Sequence, residues 1–267
     1  KVKKIDHIES KVKITLESNY TETFDYMIIA DGIFSLTKSI LFNKNILPKY
    51  FGSIAIRALV KKEDFKFINE NNISLFLGSN THLVAYAVSI KNEINLVAII
   101  RKNLDKNNLS EENFFNDKDN IKKFITESSI QTNGDFKNIF NKAQDLKCFP
   151  TFISDKIRQP GQKNIFLIGD ALYTSPPTFA QGASQSVESA YELFNTLNAD
   201  NKDGFNKYYD KRTKKLKMIN RRSKLNYFFF HLSNPIFIFI RNLALKIVVN
   251  NKSFLNKYLG QIYNRNN

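Results

Sequence analysis

Residues 164–197 (NIFLIGDALYTSPPTFAQGASQSVESAYELFNTL) constrain the fold of this chain more than any other stretch of the sequence. The short apolar run at 165–168 has the length and β-branched content of a buried strand, and Asp170 follows it after a single glycine. A loop containing two prolines and a glycine then leads into 183–197, whose apolar spacing predicts an amphipathic helix. A carboxylate at the end of a strand accepts hydroxyl groups, and a helix start offers free N–H groups to an anion. The stretch therefore predicts a site for a nucleotide-like ligand.

The sequence GDALYTSPPTFAQGASQSVESA at residues 169–190 resembles the second flavin-binding motif of the FAD-dependent aromatic-ring hydroxylases. These enzymes are the class A flavoprotein monooxygenases, among them the salicylate hydroxylases and the ubiquinone-biosynthesis hydroxylases. Two positions differ from the motif, since Tyr173 stands where His is usual and Ser189 stands where Asp is usual. The residues that match in register are Gly169, Asp170, Ala171, Pro177, Ala180, Gln181, Gly182, Ala183 and Glu188.

A second stretch, ADGIFSLTKSIL at residues 30–41, resembles the A-D-G-x-x-S-x-x-R motif of the same enzymes. It follows an increasingly apolar run at 24–30, which predicts a strand that returns from the one before it. Lys38 replaces the usual Arg, which keeps the positive charge but removes the planar fork that binds carboxylates and phosphates through two bonds. The residues that match are Ala30, Asp31, Gly32 and Ser35.

The resemblance implies FAD as the cofactor and NADH or NADPH as the co-substrate, and it implies a role for each matched residue. Asp170, preceded by Gly169, would bind the ribityl or ribose hydroxyl groups of FAD. Asp31 and Gly32 would lie near the FAD pyrophosphate and the approach of the nicotinamide cofactor. Pro177 would line the junction of flavin and substrate as the catalytic-site residue. The groups near the flavin N1 and C2 carbonyl, where negative charge builds on reduction, would be the backbone N–H groups of Gln181, Gly182, Ala183 and Ser184.

The rest of the pattern predicts an α/β fold with an inserted antiparallel sheet. Residues 11–16 alternate basic and apolar side chains, as a half-exposed strand does. Four β-rich runs at short spacing in 50–101 predict an antiparallel sheet, which in the family forms the floor of the substrate pocket. The expected domains are the first part of an incomplete FAD-binding Rossmann-like domain at 1–42, the antiparallel-sheet substrate domain at 43–153, the return to the FAD-binding domain at 154–200 and basic C-terminal helices at 201–267.

Candidates for substrate contact are Arg57, His82 and Tyr86 on the predicted sheet and Tyr173 in the flavin motif. Strand alternation alone leaves open whether each side chain faces a pocket or points away from it. The expected partner is a small aromatic substrate molecule. No spacing suggests a Ser/His/Asp triad or a set of metal ligands, and we expect no bound metal. This agrees with flavin hydroxylation, in which the protein supplies orientation, electrostatics and exclusion of water.

The net charge of +15 is concentrated near the end of the chain, since residues 205–267 contain fourteen Lys and Arg residues and one acidic residue, Asp210. A general nucleic-acid-binding protein would spread or repeat such charge, so we expect no nucleic-acid partner. A solvated helix face, an anionic membrane surface and an acidic partner all fit this tail. The run at 225–240 has 16 residues, fewer than the ~20 that a spanning helix needs. It predicts two packed helices, with an interfacial membrane anchor as the less favoured alternative.

One cysteine, Cys148, rules out an internal disulfide and gives no sign of an oxidising compartment, so we expect a cytoplasmic protein, with peripheral membrane contact open. The G-x-G-x-x-G fingerprint of this flavoprotein fold is absent, because no two of the nine glycines are separated by a single residue. Since the chain also begins at Lys1, we expect a carboxyl-terminal portion of a hydroxylase that binds FAD weakly or not at all by itself.

The predicted function is that of an FAD-dependent monooxygenase, which hydroxylates an aromatic or quinone-like substrate with NAD(P)H and O₂. Two alternatives stay open at this point. One is a related FAD oxidoreductase, such as a prenyl reductase or a halogenase. The other is a non-catalytic, truncated remnant of the fold.

Overall fold

The structure is a computed structural model that describes residues 1–65, 68–69, 71–88, 92–111, 113–128, 136–199 and 203–263. Contacts between the residues divide the chain into two compact units. The first unit consists of Lys1–Phe51 and Phe152–Lys224, and the second unit consists of Gly52–Thr151 and Leu225–Asn267. The predicted domain boundary between residues 200 and 201 lies outside the described residues.

Ten β-strands and nine α-helices form within the described residues. The strands are β1 (Val2–Ile8), β2 (Lys11–Leu16), β3 (Thr21–Phe24), β4 (Met27–Ile29), β5 (Lys49–Lys61), β6 (Ser74–Gly78), β7 (Thr81–Val88), β8 (Glu93–Arg101), β9 (Gln144–Ile153) and β10 (Ile165–Leu167). The helices are α1 (Leu36–Leu41), α2 (Lys106–Ser110), α3 (Lys118–Glu127), α4 (Phe136–Asn141), α5 (Gly169–Leu172), α6 (Gly182–Asn198), α7 (Gly204–Phe230), α8 (Pro235–Asn250) and α9 (Lys252–Tyr263).

An antiparallel sheet of β1, β2 and β3 begins the first unit. Strand β2 coincides with the strand that the alternation at 11–16 predicts, and Val12 on this strand is fully buried. Asn19, between β2 and β3, has a φ of 66°, a left-handed conformation that Asn tolerates better than most residues. Local pattern and turn chemistry therefore determine this sheet.

Strands β4 and β10 form a separate, two-stranded parallel sheet in the same unit. The prediction of one continuous strand at 24–30 is wrong, because β3 and β4 belong to different sheets. Asn164, just before β10, holds the break between them. Its side-chain amide donates to the backbone oxygen of Asp25 at 3.0 Å, and its own backbone oxygen accepts from the N–H of Met27 at 3.0 Å.

Two buried tyrosine side chains of α7 hold strand β10 in place through hydrogen bonds to its backbone. The hydroxyl of Tyr208 donates to the backbone oxygen of Leu167 at 2.9 Å, and the hydroxyl of Tyr209 accepts from the N–H of the same residue at 2.9 Å. Both rings are buried with Phe166 in one apolar cluster. These bonds satisfy backbone groups that burial would otherwise leave unpaired, and they hold the strand that leads into the glycine–aspartate motif.

The second unit contains a five-stranded sheet in the order β6-β7-β8-β5-β9. The pairs β6–β7, β7–β8 and β8–β5 are antiparallel, which confirms the predicted antiparallel sheet. Alternate residues of β5, such as Ile54 and Ile56, enter one buried cluster with Ile121 and Phe124 of α3. Helix α3 therefore covers one face of this sheet with its apolar side chains.

Helix α7 begins in the basic C-terminal region and includes the first part of the apolar run at 225–240. The rest of that run starts α8, where the side chain of Asn234 accepts from the N–H of Ile236 at 3.0 Å and Pro235 occupies the first turn. The predicted C-terminal helices are therefore present. Among the helices that the structure describes, none has both the length and the apolar content to cross a bilayer.

Candidate functional site

The carboxyl ends of β4 and β10 lie side by side, because Ile29 pairs with Leu167 in the parallel register. The N–H of Ile168 continues this pairing with a 3.1 Å hydrogen bond to the backbone oxygen of Ile29. Asp31 comes shortly after β4 and Asp170 comes shortly after β10, so the two predicted motifs meet at one edge of the sheet. Such an edge is where α/β proteins bind their ligands.

Gly169 allows α6 to approach the end of β10 closely. Its φ is +55°, and a Cβ atom built on it would lie 2.9 Å from Oγ of Ser186 in α6. Its N–H donates to Oγ of Ser189 at 3.0 Å, and that hydroxyl donates in turn to the backbone oxygen of Ser186 at 2.9 Å. Ser189, which departs from the family motif, therefore ties the glycine to the helix, a role that the sequence did not reveal.

The amino-terminal end of α6 presents unpaired backbone donors. Ala180 has a φ of +49°, and the following Gln181 makes no side-chain hydrogen bond that caps the helix. Within the described part of the chain, no acceptor pairs with the N–H groups of Gly182, Ala183 or Ser184. Free N–H groups and the helix dipole make this end attractive to an anion or to a carbonyl oxygen that gains negative charge.

A cavity of about 250 Å³ lies between the Gly169 loop and the start of α6. The cavity brings together many of the predicted residues, whereas Asp31, Gly32, Ala183 and Ser184 are not part of its lining. No side-chain hydrogen bond forms to the carboxylate of Asp170 within the described residues, so this acceptor is available to a ligand. The predicted site residues that line the cavity are Gly169, Asp170, Tyr173, Pro177, Gln181 and Gly182.

Lys38, which replaces the usual Arg, is buried beside the same loops. Its ammonium donates to the backbone oxygen of Ala171 at 3.0 Å, and this bond fixes α5 against α1. Burial is the main cause that lowers the pKa of Lys38, and the nearby Arg158 lowers it further, while three carboxylates oppose the shift. These carboxylates belong to Asp31, Asp155 and Asp170. The lysine therefore acts as a structural tie and as a positive charge behind both aspartate motifs.

Arg212 of α7 is fully buried against α6 and also lines the cavity. One guanidinium nitrogen, Nη2, donates to Oε1 of Gln185 at 2.9 Å. The other, Nη1, forms ion pairs at 3.4 Å with Glu188 and at 3.3 Å with Glu192. The sequence did not single out this residue, because it is one of many basic residues in a highly charged helix. Only the tertiary contacts distinguish it as the residue that holds α6 in place.

The predicted substrate residues of the second unit share one face of the five-stranded sheet. Arg57 pairs with Val97 of β8, and Tyr86 pairs with Asn95 two residues away on the same strand, so all four side chains point to the same side. Arg57 is exposed and Tyr86 is half-buried. Asn95 is buried, and its amide nitrogen has no hydrogen-bond partner among the described residues. This face therefore offers a cation, a phenol and an unpaired amide donor.

His82 lies on that face, but its ring contacts a second histidine. Its Nδ1 atom is 2.8 Å from Nε2 of His231, and both rings are buried. Burial lowers the pKa of His82 to about 4 and that of His231 to about 3, so both are neutral at pH 7. Both histidines are therefore buried, neutral groups that contact each other, and the ring of His82 is not exposed to a ligand.

The single thiol and the potential metal ligands are further candidates for chemical roles. Burial raises the pKa of the Cys148 thiol to about 12, which keeps it protonated at neutral pH. Across the residues that the structure describes, no three His, Cys, Asp or Glu side chains come close enough to hold a metal ion.

Comparison with known proteins agrees with this geometry. No protein-family model matches the sequence. A flavin-dependent monooxygenase of an unknown prokaryotic organism is 25% identical over 201 residues, which are 73% of this chain and 48% of the relative. The 3-hydroxybenzoate 6-hydroxylase 2 of Aquipseudomonas alcaligenes is 26% identical over 186 residues, which are 66% of this chain and 53% of the relative. The homologues of this chain are flavin-dependent aromatic hydroxylases.

The resemblance carried by the two motifs is thereby confirmed. The structure of a Klebsiella pneumoniae HpxO variant with FAD superimposes with a TM-score of 0.80 at 14% identity, over 98% of this chain and 67% of that one. This likeness confirms the predicted fold class, a mixed α/β architecture with an antiparallel sheet and C-terminal helices. The chain spans about half the length of the curated relatives that it matches.

Proposed function

We propose that this chain is the flavin- and substrate-binding part of an FAD-dependent monooxygenase, which hydroxylates an aromatic or quinone-like substrate with NADH or NADPH and O₂. One observation carries the proposal: two glycine–aspartate loops meet at the carboxyl ends of β4 and β10, beside the uncapped start of α6. The homology to flavin-dependent aromatic hydroxylases supports the same chemistry. It does not favour a prenyl reductase or a halogenase.

The proposed flavin contacts use polar groups that have no hydrogen-bond partner among the described residues. The carboxylate of Asp170 would accept hydrogen bonds from the ribityl or ribose hydroxyls. The N–H groups of Gly182, Ala183 and Ser184, after the helix cap Gln181, would donate to the carbonyl edge of the ring system near N1 and C2. A negative charge that builds there is stabilised by the helix dipole at this end of α6.

The other matched residues have proposed places around this contact. Pro177, exposed in the short 3-10 helix before α6, would line the junction of flavin and substrate. Asp31 and Gly32, at the end of β4, would lie near the pyrophosphate and the approach of the nicotinamide. A φ of +82° at Gly32 turns the backbone sharply there, which supports a close approach of backbone to ligand.

The protein contributes orientation and electrostatics to the reaction. FAD, when bound, supplies the redox chemistry, because it accepts a hydride from NAD(P)H and activates O₂ for insertion into an electron-rich ring. Arg57 and Tyr86 would hold a substrate oxygen or carboxylate by charge and hydrogen bonding on their sheet face. Tyr173 is a third proposed substrate contact, and burial raises the pKa of its phenol, so it stays a hydrogen-bond donor at neutral pH.

The residues present fit the flavin ring and the adjoining chain of hydroxyl groups, but the sequence holds no G-x-G-x-x-G for the pyrophosphate. Apolar side chains of the first unit are exposed beside the site, with Ile28 on β4 at 49%, Val187 on α6 at 71% and Phe194 on α6 at 61%. In α/β proteins, parallel sheets are covered by other elements on both faces, so exposed apolar side chains beside such a sheet indicate a missing cover. We therefore propose that a βαβ unit with the fingerprint completes the flavin site.

Flavin retention tests the proposal. The purified chain is incubated with FAD and desalted, alone and with a polypeptide that carries a fingerprint βαβ unit, and its visible spectrum is recorded. We expect retained flavin absorbance with the added unit and little without it. Oxidation of NADH or NADPH should then accelerate with phenols such as 3-hydroxybenzoate. If neither form retains flavin, the chain is a non-catalytic remnant and the proposal is wrong.

A matched pair of variants assigns the retention to the site. Asp170→Ala should weaken FAD binding about tenfold or more, the usual effect of a lost hydrogen bond to a charged group. Asp119→Ala, whose side chain is 96% exposed in the second unit, serves as the control. Equal affinities for the two variants would remove Asp170 from the proposed site.

The proposed partners are a small-molecule aromatic substrate and, through the basic residues 201–267, the surface of an anionic membrane. No nucleic-acid partner is proposed. The concentration of basic residues in this tail supports peripheral contact of a cytoplasmic protein with the membrane. We also propose that residues 1–42 and 154–200 bind the flavin and that residues 43–153 bind the substrate.

A further inference from the structure

Apolar side chains are exposed around most of helix α8. Three of them, Ile236, Phe239 and Ile247, are 68%, 70% and 64% exposed. Monomeric soluble proteins rarely leave a contiguous apolar surface of this kind open to water. The other large apolar residues exposed on the helix are Phe237, Ile240, Leu243, Leu245 and Val249.

A cavity of about 450 Å³ lies between this helix and the end of α7. Its volume falls in the range of about 300–1,000 Å³ that small-molecule sites occupy. Nearly all of its lining is hydrocarbon, which suits an aliphatic chain better than a polar metabolite. Apolar residues of its lining include Phe228, Phe229, Leu232, Phe237, Leu245 and Val248.

One cation, Arg241, belongs to the lining of this apolar cavity. It is 8% exposed, and its guanidinium donates to the backbone oxygen of Phe229 at 3.2 Å and to the side chain of Asn242 at 2.9 Å and 3.1 Å. No carboxylate of the described chain pairs with it. A buried cation without a counter-charge is costly, so the position favours an anionic group from outside the chain.

The charged residues of α8 and of the end of α7 all have the same sign. No Asp or Glu follows Asp210 in the sequence, whereas thirteen Lys and Arg residues do. Lys246 and Lys252 flank the end of α8, and Arg221 and Arg222 precede the apolar end of α7. An apolar face between basic flanks matches the interface of an anionic bilayer, where acyl chains lie below phosphates. A second copy of the chain would instead bring like charges together.

We propose that α8 and the end of α7 lie in the interface of an anionic phospholipid membrane and form a lipid site. One phospholipid places an acyl chain in the cavity and its phosphate beside Arg241, while the exposed face of α8 enters the acyl region. The proposal rests on the membrane contact proposed above for residues 201–267 and gives that contact a specific site. It is independent of flavin binding, since its test needs no cofactor.

Co-sedimentation with vesicles tests the interface. The full chain should bind phosphatidylcholine vesicles that contain phosphatidylglycerol and bind pure phosphatidylcholine vesicles much less. Phe239→Ser should lower the partition coefficient about tenfold or more, because a large apolar side chain no longer enters the bilayer. Ile73→Ser is the matched control, since Ile73 is 73% exposed outside these helices and should have no effect.

A second pair of variants tests the phosphate contact. Loss of one surface charge at a membrane weakens binding about fivefold, which is the effect we expect for Lys246→Gln. Arg241→Gln should weaken it about tenfold or more, because it also removes charge-assisted hydrogen bonds to the phosphate. Equal effects of the two variants would overturn the lipid site and leave contact by charge alone.

A fluorescence measurement remains informative if a variant folds poorly. The chain contains no Trp, so Phe239→Trp and Ile73→Trp each carry a single reporter. We expect vesicles with brominated acyl chains to quench the reporter at position 239 and not the one at position 73. Absence of binding by the unsubstituted chain would overturn both membrane proposals. Self-association that Phe239→Ser abolishes, without vesicle binding, would assign the face to a second copy instead.

Discussion

Replacement of Gly169 by alanine should destabilise the first unit by about 2 kcal/mol. About 1 kcal/mol arises because a Cβ atom is strained at the observed φ of +55°. About another 1 kcal/mol arises because this Cβ would lie 2.9 Å from Oγ of Ser186, whose hydroxyl must then leave the backbone oxygen of Gly182, 3.0 Å away. The same displacement moves the start of α6 from the flavin contacts proposed above.

Urea unfolding followed by far-ultraviolet circular dichroism measures this loss. With a slope of about 2 kcal/mol per molar urea, the midpoint should fall by about 1 M. Gly161→Ala is the control, because no atom lies within 4 Å of the added Cβ and its φ is not positive. Ser186→Ala already lacks the hydroxyl and its bond to Gly182, so adding Gly169→Ala in that background should cost only the ~1 kcal/mol of backbone strain.

Three results would refute this reasoning about Gly169. A loss below about 0.5 kcal/mol, the usual range of neutral surface changes, would mean that neither the strain nor the contact exists. No further loss from Gly169→Ala in the Ser186→Ala background would mean that the backbone conformation costs nothing. A loss equal to that of Gly161→Ala would also mean that neither the strain nor the contact exists.

Two further predictions concern stability. Lowering the pH from 7 to 5 should cost about 2 kcal/mol for each of His82 and His231, because their folded pKa values of about 4 and about 3 keep them neutral while the unfolded chain takes up protons below its ordinary value of 6.5. Urea unfolding at several pH values should show this loss begin near pH 6.5 and level off towards pH 3, and a flat profile from pH 7 to 5 would contradict it. Arg212→Met should cost about 3 kcal/mol in the same assay, because the carboxylate of Glu192 loses a fully buried partner. Lys211→Met, which removes an exposed partner of the same carboxylate, should cost less than about 0.5 kcal/mol, and equal losses would show that burial of the arginine is unimportant.

Short-range patterns in the sequence were sufficient for much of the fold. The four β-rich runs at 50–101 became neighbouring antiparallel strands, because hydrophobic period and turn residues act over a few positions. The apolar run at 165–168 became β10, followed by α6 at the predicted place. The two flavin motifs could be recognised for a related reason, since each is a compact loop with fixed backbone requirements.

Long-range contacts were beyond the reach of these patterns. The break between β3 and β4 depends on Asn164, which is far from both strands in the sequence. Nothing local distinguishes Arg212 from the other basic residues of α7, and nothing local pairs His82 with His231. Such side chains acquire their roles from partners that only the folded chain brings within hydrogen-bonding distance.

The most direct test of the central claim is a titration of ¹⁵N-labelled chain with FAD, followed by the backbone amide signals. Weak binding is enough for this measurement, so it does not require the fingerprint unit. We predict that the amide signals of Gly169, Gly182 and Ala183 shift together as FAD is added, while those of the exposed Asp119 and Ile73 stay constant. If the signals at the start of α6 do not move, or if the shifts occur only elsewhere in the chain, the cavity beside Gly169 is not a flavin site.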